Sequence, residues 1–168
     1  MHLRPRREFQ MCPSPPRMLS GIRTPPPRPV VYNVGDKVEV IGKEEGYVGS
    51  YYNATILSVL EDDRYKVQYE SFIEDEETQT PLKDTLLKKD IRPKPPRVRT
   101  GSEFKPGQNV DAYDHRGWWN GKIIGDIEGV WGHYCVYYES SNEYVEYSAS
   151  RIRVHHEFVD GHWLQAIL

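Results

Sequence analysis

The stretch Asp114-His-Arg-Gly-Trp-Trp-Asn-Gly-Lys-Ile-Ile124 sets two tryptophans side by side in an otherwise polar run. Neighbouring residues on a strand point to opposite faces, so Trp118 and Trp119 cannot both enter one core. The same doublet occurs earlier: Gly49-Ser-Tyr-Tyr-Asn-Ala-Thr-Ile56 aligns with Arg116-Gly-Trp-Trp-Asn-Gly-Lys-Ile123. Working outward, Tyr32-Asn-Val-Gly-Asp-Lys-Val-Glu-Val40 matches Phe104-Lys-Pro-Gly-Gln-Asn-Val-Asp-Ala112. Tyr65-Lys-Val-Gln-Tyr-Glu70 matches Tyr134-Cys-Val-Tyr-Tyr-Glu139, and Asp90-Ile-Arg92 matches Arg151-Ile-Arg153. Four matches in one order, with small gaps, are a duplicated unit of about 60 residues.

Each unit alternates apolar and polar residues with period two, and Gly, Asn and Asp punctuate the runs. In the first copy Val38 and Val40, Ala54 and Ile56, and Val67 and Tyr69 share faces. No long helical period occurs. Four or five short strands in so few residues can close into a small twisted barrel, and two such barrels gain by packing together. The expected fold is all-β, with two small tandem barrels packed together. The units are 30–96 and 104–168, joined by a polar linker over 97–103 that follows the proline cluster Arg92-Pro-Lys-Pro-Pro-Arg97. The segment after Ile152, with Phe158, Trp163 and Leu164, is expected to pack on the second barrel.

Charge divides the chain. Residues 1–29 hold six arginines, eight prolines and one acid, Glu8, for a net +5; that leaves 16 basic against 24 acidic residues, or −8, for 30–168. The first segment is too polar and Pro-rich to bury a core and is expected to be disordered. An acidic folded part opposes phosphate tracking and suits a basic partner or simple solubility. Cys12 and Cys135 form neither a disulfide framework nor a metal pattern. No apolar run approaches the ~20 residues of a membrane-spanning helix, so no membrane partner is expected. His155-His156 should diverge, leaving no metal site. There is no phosphate-binding glycine loop, nucleophile elbow or motif-placed carboxylate pair, so neither catalysis nor a cofactor is expected.

These residues together resemble the plant Agenet domains, members of the Tudor-like Royal group. The likeness rests on Val34-Gly-Asp-Lys-Val-Glu-Val40, Glu45-Gly-Tyr-Val-Gly-Ser-Tyr-Tyr-Asn-Ala-Thr55, Tyr65-Lys-Val-Gln-Tyr69 and Asp90-Ile-Arg-Pro-Lys-Pro-Pro96. Gly107, Asp111-Ala-Tyr113, Gly117-Trp-Trp-Asn-Gly121 and Ile152-Arg-Val154 continue it. The resemblance implies that each barrel is SH3-like, Tudor-like and five-stranded, and it implies a non-catalytic chromatin reader in the nucleus. It would bind histone H3 tails, in some members at dimethylated lysine nine, and act in heterochromatin and gene silencing.

Methylated lysine keeps its charge but gains an apolar shell, and aromatic faces attract it by about 0.5–2 kcal/mol each. The resemblance implies a cage of Tyr47, Tyr52, Tyr69 and Phe72 in the first copy, where Gly42 leaves one family position empty and Tyr47 fills it. In the second copy it implies Tyr113, Trp119 and Tyr138. Glu70, Glu74, Asp75, Glu76 and Glu77, with Asp114 and Glu139, would hold the basic peptide. The run Ile73-Glu-Asp-Glu-Glu77 reads equally as a solvated turn. By the same pattern Trp119 and Tyr52 line rim pockets, while Trp118 and Tyr51 face the neighbouring copy or the C-terminal segment. Alternative ligands are another methyl-lysine, a methyl-arginine, or RNA or DNA held through the basic N-terminal tail.

Overall fold

The computed structural model describes residues 25–97 and 103–165. The first copy contains β1 (Lys37–Ile41), β2 (Ser50–Val59), β3 (Arg64–Asp75), β4 (Thr80–Leu87), a single 3-10 turn at Lys88–Asp90, and β5 (Ile91–Pro93). The second repeats the series as β6 (Asn109–Asp114), β7 (Gly117–Ile127), β8 (Val130–Tyr138), β9 (Glu143–Ser148), a 3-10 turn at Ala149–Arg151, and β10 (Ile152–Val154). Pairing is antiparallel throughout, in the order β5-β1-β2-β3-β4 and again β10-β6-β7-β8-β9.

The second strand of each copy bends the unit. Residues 51–55 of β2 pair with β1, residues 54–59 pair with β3, and the register slips between Ile56 and Ser58. β7 makes the same handover, with its slip between Ile123 and Gly125. Such bulges raise the local twist and curl a five-stranded sheet around its inner face. That face carries the apolar phase: Val38, Val40, Ala54, Ile56 and Val67 in one copy, and Val110, Ala112, Ile123, Val136 and Ile152 in the other, all buried.

The copies differ most between their first two strands. Asp114 pairs with Gly117 across a two-residue turn, in which His115 and Arg116 both have positive φ (48° and 65°). That is the hairpin turn whose twist matches its strands, made here without the usual Asn-Gly. The first copy has instead an eight-residue loop, 42–49, between β1 and β2.

The aromatic doublets join the copies. Ser50 pairs with Trp119 and Tyr51 with Trp118, which fuses the two sheets through β2 and β7 into one ten-stranded sheet. On the outward face at this seam, the Arg92 guanidinium lies 3.4 Å from the Tyr51 ring centre and that of Arg153 lies 4.2 Å from Trp118. Both arginines come from the last strand of their copy, and each faces the acid opposite it on the first: Glu39 for Arg92, Asp111 for Arg153.

Arg92 Nη2 donates to Glu39 Oε1 (2.8 Å), and Arg153 crosses the seam to donate to both Glu39 oxygens (2.6 and 3.0 Å) while its Nε donates to Asp111 (3.0 Å). His155 bridges Asp111 (2.6 Å) and Glu157 (2.5 Å). Glu39, Arg92 and Asp111 are each 1% exposed. With His155 protonated the cluster holds three positive and three negative groups, so its burial leaves no net charge. Burial alone would lower the His155 pKa, but hydrogen bonds to the two carboxylates outweigh it and raise it to about 9. Asp111 is likewise disfavoured by burial, yet its partners His155 and Arg153 hold it below the usual carboxylate range.

The C-terminal segment forms a hairpin, β11 (His156–Val159) and β12 (His162–Gln165). It packs on the first copy rather than on the second, as the sequence suggested. The His156 carbonyl accepts from Arg92 Nη1 (2.8 Å), the Trp163 ring lies 5.1 Å from the same guanidinium, and Phe158 shares a hollow with Val30, Tyr32 and Ile91. His155, between β10 and the hairpin, stays tied to Asp111 of the second copy while its ring lies 6.1 Å from Tyr51 of the first, so the chain crosses at this residue. Residues 25–29, read as part of the tail, run along this hairpin. Arg28 N donates to the Asp160 carbonyl (2.8 Å), and His162 Nε2 to that of Pro26 (2.8 Å). The rest of the expected disordered tail, 1–24, lies outside the described residues.

Glu39→Ala takes the carboxylate from the buried Arg92 and half-buried Arg153 guanidiniums and should lower stability by about 3–5 kcal/mol in urea unfolding. The His155 contribution is complete below pH 6.5 and disappears as pH rises through 9. Stability should therefore fall by on the order of 2–3 kcal/mol between those limits, and His155→Gln should flatten that slope.

Candidate functional site

The eight-residue loop of the first copy folds back over Gly42. A Cβ there would collide with the Tyr47 carbonyl and the Ser50 hydroxyl, so the loop can lie flat on β1 only because the residue is glycine. Tyr47 thereby comes to the mouth of the barrel, 6.5 Å from the Tyr52 ring. Tyr52 is edge-on to Phe72 at 5.4 Å, and Phe72 edge-on to Tyr69 at 5.7 Å. All four border a cavity of about 490 Å³ floored by Val40, Ile41, Leu82 and Leu86. Tyr52 is buried, whereas Tyr47, Tyr69 and Phe72 are half-buried. The four first-copy rings named from the sequence are thus gathered around one opening.

The carboxylates at this opening are not those named from the sequence. Glu44, Asp84 and Asp90 line it, with Asp90 ion-paired to Lys43. The Tyr69 hydroxyl donates to Asp84 (3.5 Å). Burial first, then the Asp84 charge, push Tyr69 up to about 12, so it stays a neutral phenol. Glu70 instead faces Lys37 at 3.6 Å. Asp75 accepts from the backbone amides of Glu77 and Thr78 and so builds the β3–β4 turn, where Glu74, Glu76 and Glu77 are exposed. The missed signal was phase. Leu82, Asp84 and Leu86 alternate on β4, and Asp84 pairs across with buried Val67, so this acid sits on the inner face.

The second trio does not come together. Tyr113 is cross-strand from Trp118, with ring centres 5.1 Å apart, and its hydroxyl meets Ser71 of the first copy (3.3 Å). It therefore lies on the opposite face of the sheet from Trp119. Trp119 donates from Nε1 to the Asp114 carbonyl (2.8 Å) and turns its ring to the first copy, 6.3 Å from Tyr52 and 6.4 Å from Tyr47. Tyr138 donates to Tyr147 (2.7 Å), which donates to Asp114 Oδ2 (2.8 Å), and both rings are buried. Glu139 is exposed beyond them. With a two-residue turn in place of the loop, the second copy has no counterpart to Tyr47. Its Asp114 is committed inside.

Trp119 and Gly117 back the first-copy rings. A Cβ on Gly117 would lie 2.6 and 2.8 Å from two carbons of the Tyr52 ring, so glycine there makes room for the ring. The doublet question is answered: Trp118 holds the seam, and Trp119 supports the rings of the neighbouring copy.

An aromatic opening with carboxylates at its edge, on a five-stranded module, fits what comparison with known proteins finds. Residues 35–96 match the Agenet domain family. The chain is 30% identical over 133 residues to Protein AGENET DOMAIN (AGD)-CONTAINING P1 of Arabidopsis thaliana, covering 79% of this chain and 25% of that protein. It is 29% identical over 139 residues to the DUF724 domain-containing protein 6 of the same plant, covering 78% of this chain and 19% of that one. The chain thus spans a quarter or less of these relatives' lengths. The crystal structure of Arabidopsis thaliana AGDP1 AGD34 superposes with a TM-score of 0.72 at 29% identity, covering 79% of this chain and 88% of that one. The crystal structure of ADCP1 tandem Agenet domain 3-4 gives 0.68 at 28% identity, covering 80% and 87%. Matched in its first copy by the family and along most of its length by tandem pairs, the chain belongs to the Agenet-domain proteins.

Proposed function

We propose that this pair is a chromatin reader. The first-copy cavity takes a methylated lysine of the histone H3 tail, with dimethylated lysine nine the leading candidate. The carrying observation is the meeting of Tyr47, Tyr52, Tyr69 and Phe72 around one cavity with carboxylates at its edge. The rings supply cation–π attraction and an apolar wall for the methyl groups. Dimethyllysine retains one N–H, for which Glu44 or Asp84 is a charged acceptor at the same opening; trimethyllysine has none. The exposed Glu74–Glu77 turn draws in the basic peptide and orients it. Binding, with no turnover and in the nucleus, is the whole of the proposed activity. The −8 of residues 30–168 favours this over nucleic-acid binding.

Calorimetric titration of the chain should test it with H3 peptides unmodified, methylated at lysine four, or mono-, di- and trimethylated at lysine nine. One methylated form should bind near ~1–50 μM, about −6 to −8 kcal/mol. Equal binding of every peptide would sink the cage, and binding of none would turn attention to RNA. Tyr69→Ala or Phe72→Ala should weaken the methylated peptide by at least about tenfold, with Tyr113→Ala near neutral. Gly117→Ala, remote in sequence, should press the Tyr52 ring toward the cavity. It should cost about 1–3 kcal/mol of stability and reduce the preference for the methylated peptide, both readable from unfolding and the same titration.

A further inference from the structure

We propose that the peptide binds as an added strand on the free edge of β4, an inference that rests on the reader function above. Among the described residues β4 pairs only with β3, which leaves its other edge of backbone N–H and C=O groups without a strand partner. Pro81 removes one donor near the start of that edge and confines the usable stretch to about residues 82–87. Leu82, Asp84 and Leu86, alternate residues of this stretch, all line the cavity. The face that an added strand would extend is therefore the face that carries the rings.

Negative charge leads into the stretch. The exposed turn with Glu74–Glu77 precedes β4 and Asp84 lies at its middle, whereas Lys88 and Lys89 follow it and Asp90 is taken by Lys43. An extended basic peptide is the complementary occupant. Its period-two side chains fix the readout. The methylated lysine enters the cavity, residues two away on either side fall on the same face beside Leu82 and Leu86, and the immediate neighbours point to solvent. Among the described residues β9 of the second copy likewise has β8 as its one strand neighbour. There the inner face is closed by the hydrogen-bonded Tyr138 and Tyr147, so an added strand would have nothing to insert into.

The test is a backbone scan of the tightest-binding methyl-lysine H3 peptide against the whole chain, with one amide N-methylated at a time. Affinity should drop about tenfold or more at alternate positions and stay near the parent value between them. Amide hydrogen exchange at residues 82–86 should slow on binding of the parent. Tolerance of N-methylation everywhere, losses without alternation, or unchanged exchange along β4 would overturn the proposal and leave the cage standing. A parent peptide that does not bind removes both.

Discussion

Everything in this molecule hangs on one carboxylate. Glu39, 1% exposed, accepts from Arg92 of its own copy and Arg153 of the other, and it ties two sheets that share only two backbone pairs between strands. Buried charges cost dearly unless matched. Here the duplicated pattern supplies the match twice, as acid on first strand and arginine on last. The seam brings the two pairs together, with His155 and Glu157 completing the balance. Aromatic rings of the doublets cap both guanidiniums, so the seam is apolar above and ionic within.

That arrangement sets how the copies divide their work. A seam symmetric in chemistry joins two units asymmetric in one loop. The long loop brings Tyr47 over Gly42 and opens a ringed cavity. The tight turn leaves Asp114 to be consumed by Tyr147, and Trp119 braces Tyr52 from behind. The ringed cavity of one copy is thus backed by the other.

The fold was legible in the sequence because it was written twice. The first-strand matches, the doublets, the Tyr65–Glu70 match and the Ile-Arg endings located four strands of each copy, and alternation named the core; β4, β9 and the C-terminal hairpin had no such match. The four first-copy rings were legible too, since Tyr47 is the one aromatic residue in the loop beside the empty Gly42 position. What escaped depends on which face is whose. Tyr113 looked like a rim residue by position, but its cross-strand partner is Trp118, which turns it to the seam. Glu39 and Asp111 alternate with core residues, and alternation cannot show that the outward face of one copy meets the other. Asp84 was passed over for the four-acid run Glu74–Glu77, whose sequence is conspicuous and whose structure is a turn. The C-terminal hairpin crossed to the first copy through a main-chain carbonyl, His156 to Arg92, which no side-chain pattern announces.

The two-residue turn at His115–Arg116 has a consequence for how such pairs diversify. Both loops between first and second strands reach the other copy: the Gly49 carbonyl accepts from Asn120 N (2.9 Å), and Gly117, which closes the tight turn, packs against Tyr52, so a change of loop length in either copy is felt across the seam. The short turn of one copy is thus part of the wall behind the cavity of the other, and the two loops are free to drift apart in sequence only as far as that contact allows.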